Sequence, residues 1–407
     1  MIEFTDGGVC AAEGFSASGI HCGIRKNKTK EDLALICSDV PCQGAGLFTR
    51  NQVKAAPVLL DMEVIRGDSF RAIIANSGIA NACAPHDMEN ALKMQKTAAE
   101  ALGVKKEEVL VGSTGVIGMD LDVAPIEAGM PALIRSLSSG KDGSDHAAQA
   151  IMTTDTRKKE LAVKVIIGGK KVHIGGIVKG SGMIHPNMGT MLCYLTTDCA
   201  IQKPLLQKAL KTVCDRTFNR ISVDGDTSTN DSLILLANGL AQNPEITEEG
   251  TDYDRFLEAL LILCTEMARR MAADGEGAKH LITCHVTECE SEDKAELLAK
   301  SVIRSPLTKA AVFGCDANWG RVLCALGYSG ASFDPGHVGI QFSSAAGTID
   351  VCESGKGLPF DEVLAKKILE EPEVIINIQM GEGYDQATAW GCDLTYDYVR
   401  INGDYRT

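Results

Sequence analysis

The chain has few aromatic side chains. Two tryptophans, seven tyrosines and ten phenylalanines stand against 41 glycines in 407 residues. That balance favours tight α/β packing with many backbone turns. A surplus of positive charge is also missing. The formal net charge is −14, so no nucleic-acid backbone is expected as a partner. No apolar run approaches the roughly 20 residues that a membrane-spanning helix needs, so no membrane partner is expected. The start, Met1-Ile2-Glu3-Phe4-Thr5-Asp6, lacks a basic and then apolar signal segment. The fifteen cysteines are odd in number and form no C-x-x-C pair or Cys/His cluster. Both features predict a cytoplasmic protein with reduced thiols packed as small hydrophobes. None of the eight histidines has a partner at metal-ligand spacing, and no metal is expected. Internal repeats and low-complexity linkers are absent.

What is present is ordinary for a soluble globular protein: 45% apolar and 23% charged residues. A chain of this length holds two or more lobes. Asp87 to Leu102 reads as a helix with Met88, Ala91, Leu92, Ala98, Ala99 and Leu102 on one face and Gly103 past its end. Val109 to Val111 reads as a strand entering the loop Gly112 to Gly118. Leu161 to Ile167 and Lys171 to Ile177 read as a hairpin turning at Gly168-Gly169. Met191 to Thr197 reads as a buried strand headed by Thr190. Helices are expected over Pro204–Cys214, Arg255–Met271, Asp293–Ile303 and Asp361–Leu369, and strands over Leu281–Val286 and Val374–Met380. Strands often follow one another directly. That pattern predicts a layered α/β (α+β) fold with mixed sheets rather than a regular βαβ winding.

The most informative stretch is Lys179-Gly180-Ser181-Gly182-Met183-Ile184-His185-Pro186-Asn187-Met188-Gly189-Thr190-Met191-Leu192. It sets a lysine and a glycine turn ahead of a Gly189-Thr190 bond that is followed by an apolar run. A threonine hydroxyl is a weak nucleophile, but at a chain N-terminus its own α-amine can serve as base. Such an amine has an ordinary pKa of about 8, so much of it accepts a proton at neutral pH. A small residue before the threonine lets the hydroxyl reach the preceding carbonyl. Self-cleavage before Thr190 is therefore expected, giving pieces 1–189 and 190–407.

Other motifs have a plain reading beside a chemical one. Gly112-Ser113-Thr114-Gly115-Val116-Ile117-Gly118 is either a tight turn or an oxyanion hole formed by the Thr114 hydroxyl and the Gly115 N–H. It lacks the Gly-Lys-Ser/Thr of a phosphate loop and the dinucleotide glycine spacing. Lys179 is a surface lysine unless its place before the suspected scissile bond turns it to the site. Ser222 to Ser232 has the composition of a calcium loop but no closing Glu, which favours a structural loop. Asp274-Gly275-Glu276-Gly277 is either a helix C-cap with an exposed carboxylate or a carboxylate placed to hold an ammonium. Asp316 to Arg321 reads as a packing corner around Trp319. A Ser-His-Asp hydrolase is disfavoured because Gly180-Ser181-Gly182 does not have the G-x-S-x-G spacing.

Taken together, these segments resemble the glutamate/ornithine N-acetyltransferases of arginine biosynthesis, essentially end to end. Further carriers are Gly19 to Ile24, Asp32 to Ile36, Val53 to Val58, Asn76-Ser77-Gly78, Met152 to Thr156, Val223 to Asp231, Asn318 to Arg321 and Asn402 to Thr407. The resemblance implies an N-terminal-nucleophile-like sandwich with a smaller C-terminal lobe. It implies cleavage between Gly189 and Thr190, with the pieces assembling as two alpha and two beta chains. It implies Thr190 as nucleophile, Thr114 and Gly115 as oxyanion hole, and substrate contacts from Thr153, Lys179, Thr190, Glu276, Asn402 and Thr407. The implied substrates are N-acetylornithine, ornithine and glutamate, with no cofactor; acetyl-CoA stays open as a second acetyl donor. The chain departs from the family pattern twice: Gly189 stands where Ala is usual, and Ile79 where Asn is usual.

Two rival readings remain at this level. An amidase or aminopeptidase would use the same threonine with water as acceptor. A non-catalytic amino-acid-binding protein would carry the fold without processing.

Overall fold

The computed structural model describes residues 2–185 and 191–403. Gly189, Thr190 and Thr407 therefore lie outside the described residues.

Nine strands form the first sheet. Its path runs Glu3–Thr5, Lys159–Ile167, Lys170–Lys179, Leu192–Thr197, Ser232–Ala237, Leu33–Phe48, Phe70–Ile79 and Val109–Val116, with Phe15–Ile20 also paired to Leu33–Phe48. Leu33–Phe48 is the joint. Its first part pairs with Phe15–Ile20 and Phe70–Ile79, and its last six residues pair with Ser232–Ala237; the register breaks between Cys37 and Cys42. This break allows one sheet to become two stacked layers.

The alternation of side chains shows the stacking. Ala34, Ile36, Ile73, Ala75 and Leu110 share a buried cluster with Ile177, Leu192, Tyr194, Ile234 and Leu236. Their odd-register neighbours Leu35, Ile74 and Val111 face outward, onto Met94, Ala98, Ile126 and Met130 of helices Asp87–Leu102 and Ala124–Arg135. On the other side Cys193, Leu195, Leu233 and Leu235 meet Leu206, Leu210, Phe256 and Leu260 of helices Lys203–Arg216 and Thr251–Ala273. The layers run helix, sheet, sheet, helix. Strands buried on both faces must be apolar at every position, as Leu192–Thr197 and Ser232–Ala237 nearly are.

A seven-stranded sheet follows. Its order is Lys356–Gly357, Gly347–Glu353, Gly339–Ser344, Glu373–Gln379, Leu281–Cys289, Asp385–Cys392 and Ile221–Ser222. Helices Glu292–Arg304, Trp319–Gly327 and Glu362–Leu369 cover one face. The expected layered fold with mixed sheets is thus observed. The strands after Ala273 belong to this second sheet, whereas 192–197 and 232–237 lie inside the first.

Several boundaries differ from expectation. The strand beginning at Val109 continues to Val116, because residues 109–116 pair in parallel with Ala72–Ile79. Thr114 and Gly115 are therefore at a strand end and not in a loop. The hairpin is longer than expected, Lys159–Ile167 with Lys170–Lys179. In Asp87–Leu102 the buried face is Ala91, Met94, Gln95, Ala98 and Ala99, while Leu92 is exposed. Gln95 is drawn inward because its amide donates to the Val109 carbonyl. Gly103 is the left-handed residue at the helix end, as expected. Ten of the fifteen cysteines are buried. No helix among the described residues is long and apolar enough to cross a membrane.

Candidate active site

The expected site residues converge on one cavity of about 170 Å³. Thr114, Gly115, Thr153, Lys179, Glu276 and Asn402 all line it, beside Met191, Ser228, Thr229, Asn230 and Asp231. They come from sequence positions nearly 300 residues apart, and each arrives for a local reason.

Thr114 and Gly115 sit where the parallel pair Phe70–Ile79 and Val109–Val116 ends. Gly115 has φ +135°, and a Cβ there would overlap the backbone of Gly78 opposite. Only glycine fits, for both reasons. Ile79, the unusual residue in this region, packs its side chain on the outer core while its carbonyl accepts from the Asn76 amide.

Lys179 ends its hairpin strand and is only 7% exposed. Its Nζ donates to Thr153 Oγ1 at 2.7 Å and to Thr114 Oγ1 at 3.4 Å. The bland surface-lysine reading is thereby corrected. Burial pushes its pKa below the ordinary lysine value, with the Asp155 carboxylate opposing that shift. Asp155 itself is fully enclosed. Its Oδ1 accepts from Gly180 N (2.8 Å) and Lys159 Nζ (2.8 Å), and its Oδ2 from Thr153 N (3.0 Å). Burial alone would raise its pKa, but the ammonium groups of Lys179 and Lys159 override this and hold it well below the usual carboxylate range.

The turn after Lys179 is held from the far side. Asp224 accepts from Met183 N (2.6 Å) and Ile184 N (2.9 Å), and Thr227 Oγ1 donates to the His185 carbonyl (2.9 Å). Met183 adopts φ +54°, a conformation unusual for a side-chain-bearing residue. Within the same polar run Asn230 donates to the carbonyls of Ala80 (2.6 Å) and Ser113 (2.9 Å). Side-chain to backbone hydrogen bonds thus hold the run Ser222 to Ser232 in place, and its residues 228–231 reach the cavity. No metal-binding group of side chains occurs among the described residues.

Glu276 follows the long helix. It is buried, and its Oε2 accepts from the Asn402 amide at 2.6 Å. Gly182 lies so close that a Cβ there would overlap this carboxylate. Asp274, just before it, is not an exposed cap. It is buried and accepts from Lys159 Nζ (2.5 Å), Thr156 N (3.1 Å) and the Thr156 hydroxyl.

Sequence reasoning missed the Asp155–Lys159–Asp274 cluster entirely. The sequence signal is weak, because Lys159 heads a hairpin strand that also carries Glu160 and Lys164. The site therefore offers an ammonium donor, two hydroxyls and a carboxylate acceptor around a small space. Gly189, Thr190 and Thr407 fall outside the described residues. Lys179 precedes the undescribed segment 186–190 and Met191 follows it, and both line the cavity.

Fold and cavity define a class: a four-layer α/β protein with a small pocket lined by an ammonium group, hydroxyls and a carboxylate. More particularly, the chain belongs to the ArgJ family, whose profile matches residues 16–407. It is 48% identical over 407 residues, all of both chains, to an arginine biosynthesis bifunctional protein ArgJ of Caldanaerobacter subterraneus subsp. tengcongensis. It is 43% identical to the protein of that name from Bacillus subtilis, over 98% of this chain and 97% of the relative. A crystal structure of the Bacillus halodurans arginine biosynthesis bifunctional protein argJ is 43% identical with a TM-score of 0.50, covering 53% of this chain and 99% of that one.

Proposed function

We propose that this ArgJ-family acetyltransferase moves an acetyl group from N2-acetylornithine to glutamate in arginine biosynthesis, through an acetyl-threonine intermediate on Thr190. The observation that carries this reading is the meeting of Lys179, Thr153, Thr114, Gly115, Glu276 and Asn402 around one small cavity. In the first stage the Thr190 hydroxyl attacks the Gly189 carbonyl; the Gly189–Thr190 C–N bond breaks as the ester forms, which frees the Thr190 amine, and water then hydrolyses the ester to release the Thr190 hydroxyl and the Gly189 carboxylate. That amine then accepts the hydroxyl proton as the oxygen attacks the acetyl carbonyl. The Thr114 hydroxyl and Gly115 N–H stabilise the oxyanion. Ornithine departs, and the α-amine of glutamate takes the acetyl group in the same pocket. Lys179 suits the substrate carboxylate and Glu276 the side-chain ammonium of ornithine, with Thr153, Asn402 and Thr407 completing the contacts. The mature protein is read as two alpha and two beta chains in the cytoplasm. Acetyl-CoA is an additional donor to be assayed with glutamate.

Denaturing electrophoresis with N-terminal sequencing tests the processing. Unaltered protein should give two pieces, one beginning Thr-Met-Leu-Cys, and Thr190→Ala should stay one chain without transfer activity. An active protein that is never cleaved would refute the scheme. Acetylglutamate, rather than free acetate, must be the product when glutamate is supplied; acetate alone would make the protein an amidase.

A further inference from the structure

Outside the residues already assigned to chemistry, the most unusual feature is a lysine in the core. Lys159 is 2% exposed and lies between two carboxylates, Asp155 Oδ1 at 2.8 Å and Asp274 Oδ2 at 2.5 Å. We infer that Lys159 is a positioning residue that keeps the Lys179 ammonium free for substrate and fixes its distance from Glu276. This rests on the reading of the cavity as a diamino-acid site.

Asp155 lies beside both lysines. Its two oxygens are occupied by Lys159 Nζ, Gly180 N and Thr153 N, while Lys179 Nζ stands off at 3.9 Å from Oδ2. Lys179 spends its short hydrogen bond on the Thr153 hydroxyl instead, at 2.7 Å. A buried carboxylate seeks the nearest cation. Without Lys159, the nearest ammonium to Asp155 among the described residues is Lys179, which would swing onto it and leave the cavity. The second carboxylate extends the control. Asp274 is two residues before Glu276, its backbone carbonyl accepts from Ser181 Oγ at 2.6 Å, and Glu276 N donates to the Ser181 carbonyl at 3.0 Å. Through one ammonium group, the hairpin end bearing Lys179 is tied to the helix end bearing Glu276. Those are the two poles proposed for the ligand's carboxylate and ammonium. The tie also spans the expected scission, since Lys159 precedes it and Asp274 follows it.

Ornithine binding, measured by calorimetry as a function of pH on the full-length protein, tests the inference. The charged groups acting on Lys179 are Asp155, Lys159, Asp231 and Arg25; Asp274 reaches it through Lys159, and Glu276 faces it across the cavity. Titration of the ligand is common to all variants, so differences between them report the protein. Lys159→Met should weaken binding about tenfold at neutral pH. It should also move the alkaline loss of binding to higher pH, because a neighbouring cation is gone. Lys159→Arg should restore most of the affinity. Asp274→Asn, which keeps shape, should move the alkaline loss to lower pH, and it carries the test by itself if Lys159→Met does not fold. Opposite shifts support a charge-positioning role. Unchanged affinity and pH profile in Lys159→Met, equal losses in the Arg and Met variants, or no shift in Asp274→Asn would overturn it. A folded, unaltered protein that binds no ornithine would instead overturn the diamino-acid reading on which it rests.

Discussion

The two sheets of this molecule bury different things. In the first, both faces of the central strands are covered, and the enclosed space includes Asp61, Asp155, Lys159 and Lys179 as well as hydrocarbon. In the second, helices cover one face, and the other meets the long helix near Leu281, Trp390 and Cys392; its buried charged groups, His280, Lys309 and Asp393, lie at the sheet's end. Gly339–Ser344 and Glu373–Gln379 alternate buried and half-exposed positions, with the Asn377 amide donating to Gln341 and Ser343 on the open face. Charge is costly to bury unless paired and hydrogen-bonded. Asp155, Lys159, Lys179, Asp274 and Glu276 are buried together at and beside the cavity, which costs stability. The central core of the second region is apolar, with its buried charges at the margin.

Removing the centre of the buried network should have the largest effect. Asp155→Ala leaves Lys159 and Lys179 without their shared counter-charge, and a loss of about 3–5 kcal/mol in unfolding free energy is expected. Denaturant titration checks it. The same carboxylate gives the contrast a pH signature. Because its folded pKa is depressed, its stabilisation is present above the ordinary carboxylate value near 4 and is lost as pH falls below it. Acid unfolding of Asp155→Asn should therefore lack that component.

Thr114→Ala should lower kcat about 10²–10³-fold with a milder change in KM. Steady-state kinetics that show unchanged turnover would remove Thr114 from the oxyanion hole. Lys179 should set a subtler limit. Burial lowers its pKa, so an ammonium needed for the substrate carboxylate is lost at a pH below the ordinary lysine value of about 10.4. The alkaline limb of kcat/KM should accordingly fall below that value, and its absence would count against Lys179 as the carboxylate partner. The smallest effect belongs to the other sheet. Ile376→Val removes one buried methyl group from the second core and should cost about 1 kcal/mol of stability, leaving kcat and KM unchanged. A change in catalysis there would break the division between the two regions.

Much of this was legible in one dimension, and it was legible where physics is local. Period-two alternation and helical spacing located the hairpin ending at Lys179, the strand after Met191 and the long helix before Glu276. Gly103 marked its helix end because a left-handed residue is needed there. The Gly112–Gly118 segment was misread as a loop because glycine-rich composition signals a turn. The strand continues because Phe70–Ile79 supplies parallel partners, and Gly115 is required by the closeness of Gly78. The sequence leaves Asp274 open between an exposed cap and an ammonium partner, because nothing nearby announces Lys159, 115 positions earlier.

The amino-acid order by itself determined the elements, the family and the residue types that could meet at a site, since these depend on periodicity, turn chemistry and motif. Only the tertiary structure decided that Lys179 is enclosed and that Lys159 lies between Asp155 and Asp274. Burial and charge pairing are properties of distance in space, and the bend of Leu33–Phe48 and the stacking of two sheet layers set those distances.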